Sequence, residues 1–160
     1  MKTKDRILHV SLHLFNTEGE GNVSTVDIAN ELDMSPGNLY YHFKGKEPIV
    51  ERLLESYSQG METLMNQPEK SLNGLDDHWL YLYVLTEQVY HFRFFYRNPA
   101  DLMLRMPKLR QRFTRLQQHM EASLAMLINK LSSSGSLNIE ADEVPGFSQS
   151  LCLQLTQWFN

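Results

Sequence analysis

The stretch Ser24–Lys46, STVDIANELDMSPGNLYYHFKGK, leaves the chain little freedom in what it folds into. Ser24 can cap the first turn of a helix, and Asp27, three residues on, completes a variant of the capping box. Val23 before the cap and Ile28 after it are spaced as a hydrophobic staple. The same grammar repeats at once. Ser35 is a cap, Pro36 suits the first helical position, and Met34 with Leu39 forms a second staple. Only Leu32-Asp33-Met34 separates the two, which is long enough for a turn and nothing more. Two short helices joined this way make a helix-turn-helix, the unit that sets its second helix in the major groove. Capping alone equally allows a structural helical hairpin with solvated polar residues.

The second helix divides its residues by face. Leu39 and Phe43, four apart, point to a core, while Asn38, Tyr41 and His42 project elsewhere. Gly37 and Asn38 lie near the helix start, where base edges are usually met. Gly37 permits close backbone approach, and Asn38 carries the donor and acceptor that suit adenine. Tyr41 can touch a thymine methyl or bond a phosphate. Lys44 and Lys46 bracket Gly45 at the exit, placed for phosphates.

Thr25, Ile28-Ala29, Ser35, Leu39-Tyr40-Tyr41-His42-Phe43 and Lys46-Glu47 resemble the signature of the tetracycline-repressor (TetR) family of bacterial regulators over roughly residues 4 to 65. Asp33 departs from the family's usual turn glycine, and Asp can visit the left-handed conformation at more cost than Gly. Glu20-Gly21 stands where an aromatic often follows the glycine after the first helix. The resemblance implies a DNA-binding set of Ser24, Thr25, Ser35, Pro36, Gly37, Asn38, Tyr40, Tyr41, His42, Lys44 and Lys46, with Tyr40 and His42 on phosphates.

Composition excludes several classes. The 160 residues are 42% hydrophobic and 21% charged, as in a water-soluble globular protein. No apolar run approaches the length of a membrane span, and the N-terminus lacks a signal-peptide core, so a cytoplasmic protein with no membrane partner is expected. Cys152 is the single cysteine, which forbids an internal disulfide and fits a reducing compartment. The net charge of −4 argues against nonspecific coating of nucleic acid. In residues 1–46 the basic side chains sit at the two ends, Lys2, Lys4 and Arg6, then Lys44 and Lys46. Modest electrostatic affinity is expected, with specificity carried by helix contacts and by two heads.

Elsewhere the chain reads as helices. Ile7, Leu8, Ser11, Leu14 and Phe15 mark one face of a first helix over Thr3 to about Thr17, with Gly19 as its C-terminal cap. Val10 and Leu12 fall off that face, so this helix should touch a second surface. His9 and His13 are four apart but lack a third ligand, so no metal is assigned. A fourth helix should open near Gly45 and run to about Asn66, carrying Ile49, Val50, Leu53, Leu54, Tyr57, Met61, Leu64 and Met65. A connector follows from Gln67-Pro68 to Asn73-Gly74. Trp79, Tyr81, Tyr83, Tyr90, Phe92, Phe94, Phe95 and Tyr96 then crowd into one segment. The spacing of Trp79, Leu82, Tyr83, Thr86, Val89 and Tyr90 reads as a core face. The surplus aromatics suit an apolar ligand cavity, and suit an aromatic core or a dimer interface equally well. The resemblance favours a cavity, with Trp79, Tyr83, Thr86, Tyr90, Phe94 and Phe95 as its expected lining.

Pro99 and Pro107 restart helices, the second long and amphipathic from Leu109 to Leu131. Arg93, Arg97, Arg105, Lys108, Arg110, Arg112 and Arg115 form a basic run that reads as a solvated face or a surface for an anionic ligand or partner. Phe147, Leu151, Leu155, Trp158 and Phe159 begin a last apolar face, and the uncapped Trp-Phe-Asn ending suggests that the full-length protein continues, leaving the body incomplete at its C-terminus. No catalytic or phosphate-loop motif occurs, and Cys152 lies in an apolar helical pattern as an inert thiol.

The expected fold is all-α. A helix-turn-helix head over residues 1–46 is joined by a linking helix, 46–66, to a helical ligand-binding and dimerisation body within 47–160. The expected function is a non-enzymatic regulator, a homodimeric, ligand-responsive repressor without cofactors. Its partners would be a double-stranded DNA operator and a small apolar or aromatic ligand. A DNA-bound effector whose body recruits a protein partner remains the alternative.

Overall fold

The computed structural model describes residues 2–66 and 74–158. The connector expected at Gln67–Asn73, and Phe159, lie outside the described residues. Among those described, nine α-helices and a 3-10 turn occur and no strand: α1 Thr3–Glu18, the 3-10 turn Glu20–Asn22, α2 Thr25–Glu31, α3 Pro36–His42, α4 Glu47–Met65, α5 Leu75–His91, α6 Phe94–Arg97, α7 Pro99–Arg105, α8 Pro107–Ser133 and α9 Val144–Gln157.

The head closes around the inward stripes of α1 to α4. Ile7, Phe15, Ile28, Ala29, Leu32, Leu39, Phe43, Val50 and Leu53 are buried, with Leu8 packed against them. α1 also buries Leu12 and half-buries Val10, the second surface its sequence asks for. α4 starts at Glu47 rather than Gly45. Gly45 takes φ +115°, outside the helical range, and its N–H donates to the Phe43 carbonyl instead of entering a helix.

α4 continues from the head into the body, where it packs on α5 and α8, while α8 packs along α9. Tyr57 of α4 stacks on Phe92, with ring centroids 4.9 Å apart. Phe95, Tyr96 and Phe113 fill the space beyond. The long α8 ends in a Schellman closure: Gly135 at φ +73° donates to Ser132, and Ser136 donates to Leu131.

Two helices turn a different face inward from the one their apolar spacing suggests. α5 buries His78, Tyr81, Leu85 and Val89 and leaves Leu75, Trp79, Leu80 and Tyr83 in solvent. Large apolar residues stand on more than one side of it, so periodicity does not choose a face. α9 buries Val144, Ser148, Cys152 and Thr156, an i, i+4 stripe of small residues, and turns Phe147, Leu153 and Trp158 outward. Small side chains let α9 lie close to its neighbours. The Ser148 and Thr156 hydroxyls are satisfied by carbonyls of their own helix, at 3.0 Å from Pro145 and 2.9 Å from Cys152.

Candidate nucleic-acid interface

The two-helix unit is built by local hydrogen bonds that the sequence spells out. At the start of α2 the Ser24 hydroxyl accepts from the Asp27 N–H at 3.2 Å, and the Asp27 carboxylate accepts from the Ser24 N–H at 2.8 Å. The Ser24 side-chain hydroxyl also donates to that carboxylate, and together these bonds hold Asp27 below its ordinary carboxylate pKa. α2 ends in a second Schellman closure. Met34 donates to Ala29 and Asp33 donates to Asn30, each at 3.0 Å. Asp33 supplies the left-handed residue, φ +51°, that this closure requires. α3 begins with Pro36 at its first position and the Ser35 hydroxyl accepting from the Asn38 N–H at 3.2 Å.

This closure turns α3 so that Leu39 is buried and its other side faces water. Ser35, Pro36, Gly37 and Asn38 are exposed, Tyr40 is 60% exposed and Tyr41 82%. His42 is half-buried, its ring edge-on to that of Tyr41 with centroids 5.3 Å apart. A methyl group built at Gly37 would touch nothing within 4 Å, so the protein's own packing does not require glycine there. Ser24 and Lys44 are exposed and Thr25 half-exposed on the same unit. Tyr40 and Tyr41 thus stand in water beside the Asn38 amide and the bare backbone of Gly37.

Lys46 is placed differently from the phosphate contact its sequence position suggests. Its ammonium donates to the carbonyls of Glu20 at 2.8 Å and Val23 at 2.9 Å, and lies 3.1 Å from the Glu20 carboxylate. An ammonium has three donors, and these three acceptors use them. Glu20 in turn is buried, 7% exposed, and its second carboxylate oxygen receives Arg105 of α7. Arg105 also donates to Asp101 at 3.0 Å, and these partners raise its already high pKa. Nothing local in the sequence marks Glu20 as buried; the only hint is an acid in place of the expected aromatic.

The basic run is likewise not one face. Arg97 donates to the Thr17 carbonyl at 3.2 Å, Arg105 reaches Glu20, and Arg93 lies 4.4 Å over the Tyr90 ring. Asn16 completes the seam between head and body. Its side chain donates to the His91 carbonyl at 2.9 Å and accepts from the Phe94 N–H at 3.1 Å.

The residues expected to line a ligand cavity do not converge. Trp79, Tyr83 and Tyr90 stand on the outer side of α5, Thr86 bonds back to the Leu82 carbonyl at 2.7 Å, and Phe94 and Phe95 are packed in the core. An open cleft of about 440 Å³ lies instead between α7 and α8, lined by Pro99, Ala100, Met103, Leu104, Arg110, Phe113, Thr114 and Gln117. Among the described residues no cluster able to hold a metal ion occurs, His9 and His13 included, and no helix is long and apolar enough to cross a membrane. Cys152 is buried in α9 and its thiol is pushed up to about 11 by desolvation.

Comparison with known proteins bears on the whole chain. Residues 7–53 match the family described as bacterial regulatory proteins, tetR family, and residues 56–160 match one described as bacterial transcriptional repressor. A crystal structure of a TetR-family transcriptional regulator from Marinobacter aquaeolei superposes with a TM-score of 0.89 at 34% identity, covering 99% of this chain and 78% of that one. The regulator QacR of Staphylococcus aureus is 34% identical over 93 residues, 56% of this chain and 50% of QacR. YttP of Bacillus subtilis, a probable HTH-type regulator, is 36% identical over 67 residues, 39% of this chain and 32% of YttP. The matches to these curated relatives span half of their length or less.

Proposed function

Since the chain belongs to the tetracycline-repressor (TetR) family of bacterial transcriptional regulators, we propose that it is a homodimeric, sequence-specific DNA-binding repressor whose operator affinity answers to a ligand in the body. The observation that carries the DNA reading is the capped α3, with Leu39 buried and Gly37, Asn38, Tyr40 and Tyr41 in solvent. Gly37, Asn38 and Tyr41 meet base edges, while Tyr40, His42 and Lys44 hold phosphates, with the unit entered through the capped Ser24-Thr25 and Ser35-Pro36 turns. Phe147, Leu153 and Trp158 on α9, with Met126 on α8, give the outward apolar surface that a second copy would cover. The cleft between α7 and α8 is large enough for a small apolar or aromatic ligand, with Met103 and Phe113 on its inner side and the exposed Leu104 at its rim.

A second reading has its own support. Tyr57 packs on Phe92 and Phe94 on Phe95 inside the body, and the exposed Leu75, Trp79, Leu80 and Tyr83 of α5 suit a protein partner recruited to DNA.

Selection from a randomised duplex pool tests the main reading. An enriched inverted repeat, bound by two copies with half-site centres about 34–36 Å apart, is the expected result. Recovery of no common sequence would overturn it.

A further inference from the structure

We propose that Glu20 is the positioning residue that fixes the DNA-binding head on the body, one buried carboxylate held from the head by Lys46 and from the body by Arg105. A carboxylate out of water must be paired on its open oxygens, and both Glu20 oxygens are used: Oε1 by Lys46 at 3.1 Å and Oε2 by Arg105. The two cations come from opposite sides of the seam. Lys46 lies between the end of α3 at His42 and the start of α4 at Glu47, and its bonds to the Glu20 and Val23 carbonyls tie the exit of α3 to the loop that enters α2. Arg105 is the last residue of α7, and Asp101 one turn earlier aims its guanidinium. The position of α7 is therefore passed through one side chain to both ends of the helix-turn-helix.

α7 is suited to deliver such a displacement because its two faces do different work. Asn98, Asp101, Leu102 and Arg105 look toward the head, where they border a small cavity with Gly19 to Asn22. Pro99, Ala100, Met103 and Leu104 line the open cleft against α8. A seven-residue helix between a cleft and an ion pair shifts as a unit more readily than the long α4 or α8. That a ligand in the cleft moves α7 rests on the regulatory reading above; the positioning role of Glu20 does not.

The test uses the full chain with Arg105→Ala, Arg105→Lys, Glu20→Gln and Lys46→Gln. Arg105 is partly exposed, so its removal should leave each part folded, as circular dichroism would verify. Pulsed-EPR distances between spin labels at Asn30→Cys in the head and Glu87→Cys in the body, in a Cys152→Ala background and with the labelled chain diluted in excess unlabelled protein so that a dimer carries one labelled copy, read the head position without DNA. One narrow distribution is expected for the parent. A broadened or shifted one is expected for Arg105→Ala and Glu20→Gln, restored toward the parent in Arg105→Lys. On operators whose half-site spacing is varied by single base pairs, Arg105→Ala should flatten the spacing preference and weaken binding at the best spacing by about tenfold. Lys46→Gln should weaken all spacings together. Unchanged distances in both Arg105→Ala and Glu20→Gln would overturn the proposal, even if thermal stability fell. A parent that binds no selected DNA, with the distances responding as expected, would overturn the regulator reading and leave the positioning role standing.

Discussion

Tyr57 of α4 and Tyr96 of α6 bring their hydroxyl oxygens to 2.8 Å inside the body, with their rings edge to face and both side chains removed from water. This bond anchors the helix that leaves the head to the turn that the head's Asn16 also grips. Burial pushes both phenols well above their ordinary pKa, so they serve as a neutral donor–acceptor pair.

Tyr96→Phe should therefore strand the Tyr57 hydroxyl in an apolar site and cost about 1–3 kcal/mol of unfolding free energy. Tyr57→Phe combined with it should recover part of that loss, because no hydroxyl is then left unpaired. Urea denaturation of the single and double variants decides it; additive losses would mean that the hydroxyls act independently.

The same burial makes the protein alkali-sensitive. Cys152 has a folded-state pKa raised to about 11 from 9.0, and Tyr57 and Tyr96 are raised in the same direction. An acid whose folded pKa is raised favours the folded state only while it is protonated in the fold. That stability is fully present below the unfolded pKa and is lost as pH rises through the folded value. Thermal midpoints should hold up to about pH 9, fall above it as the Cys152 window opens, and go on falling above about pH 10 as the two tyrosines add theirs. Cys152→Ser should shrink the drop, and Cys152 should react slowly with thiol reagents until the chain unfolds.

Asn38 separates recognition from folding. Its side chain is exposed, and only its backbone N–H takes part in the α3 cap. Asn38→Ala should change base preference by about 1–3 kcal/mol at one position per half-site and leave stability nearly untouched. Binding-site selection with the variant measures this. An unchanged consensus at uniformly lower affinity would reduce Asn38 to a spacer.

The two lysines that bracket Gly45 should part company. Lys44 is exposed, so Lys44→Ala should weaken all sequences alike and lower the salt slope by about one. Lys46 is spent inside the protein, so Lys46→Ala should cost about 1–3 kcal/mol of stability and leave the salt slope near its parent value. Equal salt slopes for the two variants would show that Lys46 swings out to the phosphates.

The head was legible in its residues because its rules are short-ranged. A cap reads its partner three residues on, as Ser24 reads Asp27 and Ser35 reads Asn38, and the Schellman closure at Asp33 spans six residues. Such contacts form wherever the local chain folds, so the sequence by itself determined the helix-turn-helix, its inward Leu39 and Phe43 and its outward Asn38 and Tyr41. The body obeys longer-ranged terms. α5 carries large apolar residues on more than one side, and only the packing of α4, α8 and α9 around it put Tyr81 and Leu85 inside and Trp79 and Tyr83 outside. Lys46 looked like a phosphate ligand until a carboxylate 26 residues earlier came within reach. That carboxylate is itself completed by an arginine 85 residues further along the chain. Whether a charge is solvated or buried depends on what closes over it, and tertiary structure alone decided that for Glu20, Lys46 and Arg105.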